Sequence, residues 1–399
     1  MEREDAWPRS IPRKPKAAVP TAVGDSMGDT ATAERTDPAG RRPLRLSPGT
    51  VRPENPLLHT YSELSQTVRS RGLLGRTRVF YALLFASLLL ALGGALTGLF
   101  LLGDSWTQMG IAVVLGVIFT QFAFLGHEAS HRQVLASGPA NDRIGRVLST
   151  LFVGISYSWW MNKHTRHHAN PNKIGKDPDI EADTFSFIEE TAAGRTGLLA
   201  WMTRRQGWFF FPLLLLEGLN LHQASIRGLL GRRPVEGRWL ELGLLTFRFG
   251  AYLTLVFWLL PLGMAFAFIG VQLAVFGVYM GATFAPNHIG MRVVARDAKL
   301  SFLEKQVLTS RNISGGWWAT ILMGGLNYQI EHHLFPSMPR PYLARTRRLV
   351  REHCAQLGVP YTETSLVRAW GIVVSYLNKV GLAAPNAFRC PVGERMRGL

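Results

Sequence analysis

Cysteine is nearly absent: the 399 residues hold only Cys354 and Cys390. Two thiols cannot build a disulfide framework or a four-cysteine zinc or iron–sulfur site, and both fall in an arginine-rich stretch that reads as cytoplasmic. Acidic residues are also scarce, with Asp+Glu 27 against Lys+Arg 44 and a formal net charge of +17. Several long runs lack charge altogether. Because 47% of residues are hydrophobic while the mean hydropathy is only +0.09, apolar and basic residues must be segregated along the chain. A uniformly apolar small barrel is excluded, and the pattern points to a membrane protein with basic aqueous regions. The bilayer, not nucleic acid, is the partner this implies.

Residues 1–55 are rich in Pro, Arg, Ala and Thr and show no apolar period, so they are expected to be a disordered basic arm. The arm has no apolar core of the secretory type, and Met27 is a second possible start. Residues 79–102 and 106–126 then carry no charge, and each matches the ~20 residues that cross a hydrocarbon core. Gly103-Asp104-Ser105 joins them into a hairpin. A second hairpin follows at 242–260 and 264–284, turned by Pro261-Leu262-Gly263, with Arg248 as its only charge, expected to snorkel to the near interface. Neither turn contains Lys or Arg, whereas the arm, residues 127–240 and the chain after 285 are basic. The positive-inside rule therefore puts both termini and everything outside the hairpins in the cytoplasm, with the protein multi-pass in the cytoplasmic membrane. Two shorter apolar stretches, Val147–Trp160 and Trp208–Leu221, are expected to lie at the interface or re-enter. The resulting division is an arm (1–55), a membrane domain (56–355) and a C-terminal cytoplasmic tail (356–399).

Eight of the 11 histidines are clustered. His127-Glu128-Ala129-Ser130-His131 directly follows the second span, and its two imidazoles lie one turn apart on one helix face. In His164-Thr165-Arg166-His167-His168 the imidazoles fall at 0°, about 300° and about 40° around the helix, which is one stripe. Gln329-Ile330-Glu331-His332-His333 repeats that spacing with Gln in first place, and Asn287-His288 sits just past the fourth span. Such stripes are hard to explain as packing, since each buried neutral imidazole needs its own hydrogen-bond partner. All lie on the same expected side, and eight imidazoles exceed what one metal can use. Imidazole suits Fe, Zn and Cu, and two metals sharing eight nitrogens leave positions for a small molecule such as O2.

In order and spacing, the boxes HEASH, HTRHH and QIEHH around two apolar hairpins resemble the membrane fatty acid desaturases over about residues 75–350. Gln329, within Asn327-Tyr328-Gln329-Ile330-Glu331-His332-His333-Leu334-Phe335-Pro336, is similar to the front-end and linoleoyl-CoA-type branch and its actinobacterial relatives. The resemblance implies an all-α integral membrane fold with a cytoplasmic helical cap. It implies two Fe ions held by His127, His131, His164, His167, His168, His332 and His333, with His288 as the extra ligand. Gln329 and Asn287 are then possible metal or outer ligands, although the Asn that some relatives place four residues before the extra His is Phe284 here. The implied activity is O2-dependent insertion of a cis double bond into a long-chain acyl group carried by coenzyme A, a carrier protein or a lipid. The cytochrome b5 signature His-Pro-Gly-Gly of many front-end enzymes is absent, as is any Gly-x-Gly-x-x-Gly fingerprint following a strand. Electrons are therefore expected from a separate ferredoxin-like or cytochrome-like donor with its reductase.

Beyond the boxes, Asp177 and Asp179 are placed to orient ligand imidazoles or to make a turn. Glu128 and Glu331 should point off the ligand stripes, towards an outer layer or solvent. Trp159-Trp160 and Trp317-Trp318 are expected either to anchor at the interface or to line an acyl tunnel. Arg340, Arg345, Arg347, Arg348 and Arg351 form a basic face for lipid headgroups, an acidic donor or coenzyme A. His59, His222 and His353 stand alone and are read as packing or surface residues. Three other activities fit parts of the pattern: an alkyl hydroxylase or ketolase with the same boxes, a zinc hydrolase working without O2, and a metal transporter. A transporter would place its ligands near the bilayer midplane.

Overall fold

The structure is a computed structural model that describes residues 56–181, 183–232 and 234–385. The basic arm and Cys390 lie outside the described residues. Among the described residues four helices are long and apolar enough to cross a membrane: Arg78–Leu101, Gln108–Ser130, Arg238–Leu259 and Leu262–His288. Their apolar surface is not all spent on packing. The second buries 56% of its most apolar window, the fourth 33%, the first 17% and the third only 11%. The second and fourth are therefore the inner pair, and the outer two present Leu83, Leu90, Phe247 and Trp258 outward. Exposed apolar surface on this scale marks a lipid-facing protein.

Small residues bring the inner elements together. A Cβ at Gly277, in the fourth apolar helix, would fall on the backbone of Gly218 and Leu214, so only glycine permits that approach. Phe122, Leu125, Phe268 and Phe276 fill the core between the inner pair.

Two spans run further than hydropathy suggests. The second helix ends at Ser130, so His127 and Glu128 occupy its last turn instead of following it, and the fourth ends at His288. Hydropathy stops at the first polar side chain; the helix continues because those side chains are buried between elements. Arg248 packs against neighbouring elements. Its guanidinium turns inward over the Phe119 and Tyr252 rings, 4.6 and 4.9 Å from their centroids.

Neither shorter apolar stretch forms one long helix. Val147–Val153 is a π-helical turn that stops at Gly154, where φ is +92°, a left-handed conformation that favours glycine. Ser156 then caps Tyr157–Ala169 by accepting from the Trp159 amide. The stretch 208–221 is divided between Gln206–Leu214 and Glu217–Leu230.

A second core holds the third box. Leu303, Val307, Leu334, Leu343 and Val350 pack around Ile330, fixing the short helix Gln329–Leu334 between Phe302–Leu308 and Arg340–Gln356. Ser301 and Glu304 form a capping box at the start of Phe302–Leu308. The fold departs from the all-helical expectation, because Asn312–Ser314 pairs in parallel with Glu363–Ser365. Within the stretch expected as a C-terminal tail, Leu366–Gly381 packs Val373 and Leu377 against Phe210, Leu214 and Ala282.

Candidate metal centre

Four segments deliver the clustered histidines to one place. The second apolar helix brings His127, with His131 at its C-cap; Tyr157–Ala169 brings His164, His167 and His168; the fourth apolar helix ends on His288; Gln329–Leu334 brings His332 and His333. The structure sorts them into two groups, each with ligand nitrogens within 4.8 Å of one another. One is His127, His131, His164, His168 and His332. The other is His167, His288 and His333, and His167 also groups with Asp177 and Asp179. The groups touch through the stacked rings of His168 and His333, 4.3 Å apart.

The hydrogen bonds around the rings set their tautomers. His167 Nδ1 donates to the Asp177 carboxylate at 3.1 Å, and Asp179 is 3.2 Å from the same nitrogen. His288 Nδ1 donates to the Thr309 carbonyl and His333 Nδ1 to Gln306 Oε1, both at 2.9 Å. Each of these rings therefore carries its proton on Nδ1 and turns the Nε2 lone pair inward. Gln329 supports the assignment by donating its amide to His288 Nε2 at 2.9 Å. Asn287 in turn donates to Gln329 Oε1, leaving its own Oδ1 buried without a partner.

Electrostatics keep most of the imidazoles neutral. Burial, then repulsion from neighbouring imidazoles, holds His164, His168, His332 and His333 well below the ordinary histidine range, and burial brings His131 to about 3. His167 departs from this pattern. Burial lowers it, but Asp179 and Asp177 outweigh that and raise it overall.

The donor set fits metal ions. His127 Nε2 and His333 Nε2 are buried with no hydrogen-bond partner, a costly state for a polar nitrogen that a cation would relieve. His131 and His164 face each other Nε2 to Nε2 at 2.8 Å, and His332 and His168 at 3.2 Å. Imidazole nitrogens that converge in this way are the donor set of a metal site once each is free of its proton at that atom.

Around the centre, both box glutamates point away from the ligand stripes, but neither faces solvent. Glu128 is bound by Arg340 and Tyr81. Glu331 accepts from Asn312 at 2.7 Å and Tyr361 at 2.9 Å, and burial pushes its carboxyl up to about 7. Gln306 and Thr309 are functional positions the sequence did not signal, since both are ordinary polar residues of one short helical segment. The basic face is smaller than the sequence suggests: Arg340 is buried against Glu128 and Arg347 is paired with Glu363. Arg345, Arg348 and Arg351 remain exposed. His222 Nδ1 donates to the Gly154 carbonyl at 2.9 Å, and neither it nor His353 joins the two groups.

A cavity of about 310 Å³ opens onto His127, His164, His167 and His288. Its walls include Trp160, Leu214, Met280 and Phe284, and Trp160 stacks on His164 at 4.3 Å. Trp159 also lines it, whereas Trp317 is 77% exposed and Trp318 44%.

Residues 104–365 match the fatty acid desaturase family. The chain is 30% identical over 320 residues to a Delta(8)-fatty-acid desaturase of Helianthus annuus, covering 77% of this chain and 69% of that protein. It is 29% identical over 342 residues to an acyl-lipid (9-3)-desaturase of Borago officinalis, covering 82% and 74%. A fatty acid desaturase 2-like protein of Mus musculus is 25% identical over 392 residues, covering 92% and 78%.

Proposed function

The chain belongs to the fatty acid desaturase family and is an oxidoreductase that desaturates acyl chains, and we propose that it does so with two iron ions held by its eight clustered histidines. One ion is assigned to His127, His131, His164, His168 and His332, the other to His167, His288 and His333, with Gln329 and Asn287 beside the second. The observation that carries this reading is the convergence of imidazoles from four segments on one end of an apolar cavity. When bound, the metals supply the O2-derived oxidant that an unactivated C–H bond requires, which no general acid or base can replace.

The protein's own residues do the rest. Burial keeps His131, His164, His168, His332 and His333 largely unprotonated, so their lone pairs are available without competition from protons. Asp177, Thr309 and Gln306 hold three of the rings in one orientation. Trp160 and Phe284 press an acyl chain against the His127 and His164 side of the cavity and exclude water from it. The product is a cis double bond, and the acyl carrier is coenzyme A, a carrier protein or a lipid.

In this reading the four apolar helices form two hairpins, with the metal centre in a cytoplasmic cap. The support is that residues 103–105 and 261–263 contain no Lys or Arg. Electrons come from a separate ferredoxin-like or cytochrome-like protein, docking on the exposed Arg345, Arg348 and Arg351. Fatty-acid profiling of a host expressing the protein with a compatible donor tests the reading. A new cis double bond that disappears in the His164→Ala variant is expected. Hydroxylated acyl chains without a double bond would replace it with the hydroxylase reading, and reporter fusions at residues 103–105 and 399 on the same side of the membrane would overturn the topology.

A further inference from the structure

A second cavity, of about 370 Å³, lies behind the first. The two share a wall. Ile155 and Leu221 face the histidine-lined cavity while their neighbours Val153 and His222 face the other, and the His222 contact to the Gly154 carbonyl closes the partition. The second cavity is mostly apolar, yet Arg248, Arg227, Tyr252 and Gln272 reach it, and no Asp or Glu lines it.

Arg248 is the unusual member. It lies ten residues into the helix Arg238–Leu259, about 15 Å along the axis from its start at 1.5 Å per residue. A guanidinium stays charged in any protein environment, and a charge within the apolar run of a membrane helix is costly and marks a functional position. Its partners account for only part of it. Nε donates to the Phe152 carbonyl at 3.1 Å, and the Phe119 and Tyr252 rings cover its faces. Among the described residues no carboxylate pairs with it, and no protein acceptor meets its two terminal nitrogens.

We propose that this cavity binds the carboxylate head of a free long-chain fatty acid, anchored by Arg248. Two parallel donors on a guanidinium match the two oxygens of a carboxylate, and the apolar remainder of the cavity suits the methylenes next to it. A phospholipid phosphate offers the same charge, and the competition experiment separates the two. Exposed Arg227 at the rim would draw the anion in. The site is independent of the desaturase reaction, so it is read by binding and not by turnover.

The test uses the full-length protein in neutral detergent. Oleate carrying a diazirine near its carboxyl end is photolysed, and labelled peptides are mapped by mass spectrometry, with methyl oleate and phosphatidylglycerol as competitors. Labelling within residues 238–259 or 262–276 is expected, competed by oleate and not by the other two. Arg248→Gln should weaken oleate binding about tenfold or more, the loss of a charge-assisted hydrogen bond, while Arg248→Lys retains part of it. Equal competition by methyl oleate, displacement by phosphatidylglycerol, or undiminished binding to Arg248→Gln would each overturn the proposal. The competitor comparison needs only the unmodified protein, so it stands even where a variant fails to fold.

Discussion

Glu128 and Arg340 form a bidentate ion pair across 212 residues of sequence, with Arg340 Nε 2.8 Å from Oε1 and Nη2 2.6 Å from Oε2. Both are buried, and Tyr81 adds its hydroxyl to Glu128 while accepting from the Arg340 amide. The pair joins the helix that carries the first histidine box to the helix that follows the third, so it sets the spacing of ligands on different segments. Breaking one partner strands the other charge, at a cost of about 3–5 kcal/mol. Arg340→Met is accordingly expected to lower the thermal unfolding temperature in detergent and reduce bound metal together. Replacing both, as Glu128→Leu with Arg340→Met, should recover most of the stability. A double variant no more stable than the single one would contradict the pairing argument.

The division of histidines into groups of five and three has its own consequence. Removing His333 or His288 should lower bound iron from two ions to one, because the five-member group keeps all its nitrogens. Asp177→Ala is expected to act more gently. It leaves every ligand in place but frees the His167 ring, and loss of such an orienting carboxylate typically weakens metal affinity by about 10- to 100-fold. Elemental analysis after graded dialysis against a chelator distinguishes the cases. Loss of both ions in His333→Ala would argue against two separable groups.

Much of the centre is legible in the sequence because a helix converts spacing into a shared face. His164, His167 and His168 had to lie on one stripe wherever that helix sat. The orienting partners were not legible for the same reason in reverse: Gln306 reaches His333 and Thr309 reaches His288 through tertiary packing, and no local period marks them. The ring contacts of Arg248 were not legible because hydropathy registers a charge within an apolar run but not the face it occupies. The helix Leu366–Gly381 escaped notice since its amphipathic stripe follows a basic stretch and is too short to resemble a span.

The exposed arginines make the donor surface testable. Arg345, Arg348 and Arg351 project from one helix and carry no ion pair among the described residues, whereas Arg347 is tied to Glu363 at its two nitrogens. Charge reversal at the three free positions is expected to slow donor-dependent turnover and flatten its dependence on salt, without changing bound iron. Arg347→Glu should instead reduce stability through the lost pair. Unaltered salt dependence in the triple variant would move the docking surface elsewhere.

Gly281 offers a way to alter the substrate cavity without touching a ligand. It lines the cavity on the fourth apolar helix, two turns before His288. A Cβ there would meet Leu214 Cδ1 at 2.9 Å and Cγ at 3.1 Å, so any larger side chain must displace Leu214 within the same cavity. Leu214 is itself buried against Phe210 and Ala282, which leaves it little room to retreat. Gly281→Val should therefore shorten the space available to an acyl chain while the imidazole positions persist. The expected result is a fall in kcat/KM of roughly 10- to 200-fold for the longest accepted substrate, the range one methylene is worth in an apolar pocket. Shorter chains should be spared, Gly281→Ala should fall between, and bound iron should be unchanged. Competition between acyl substrates of different length measures this directly, and a uniform loss across all lengths would show that Gly281 supports the helix instead of bounding the substrate.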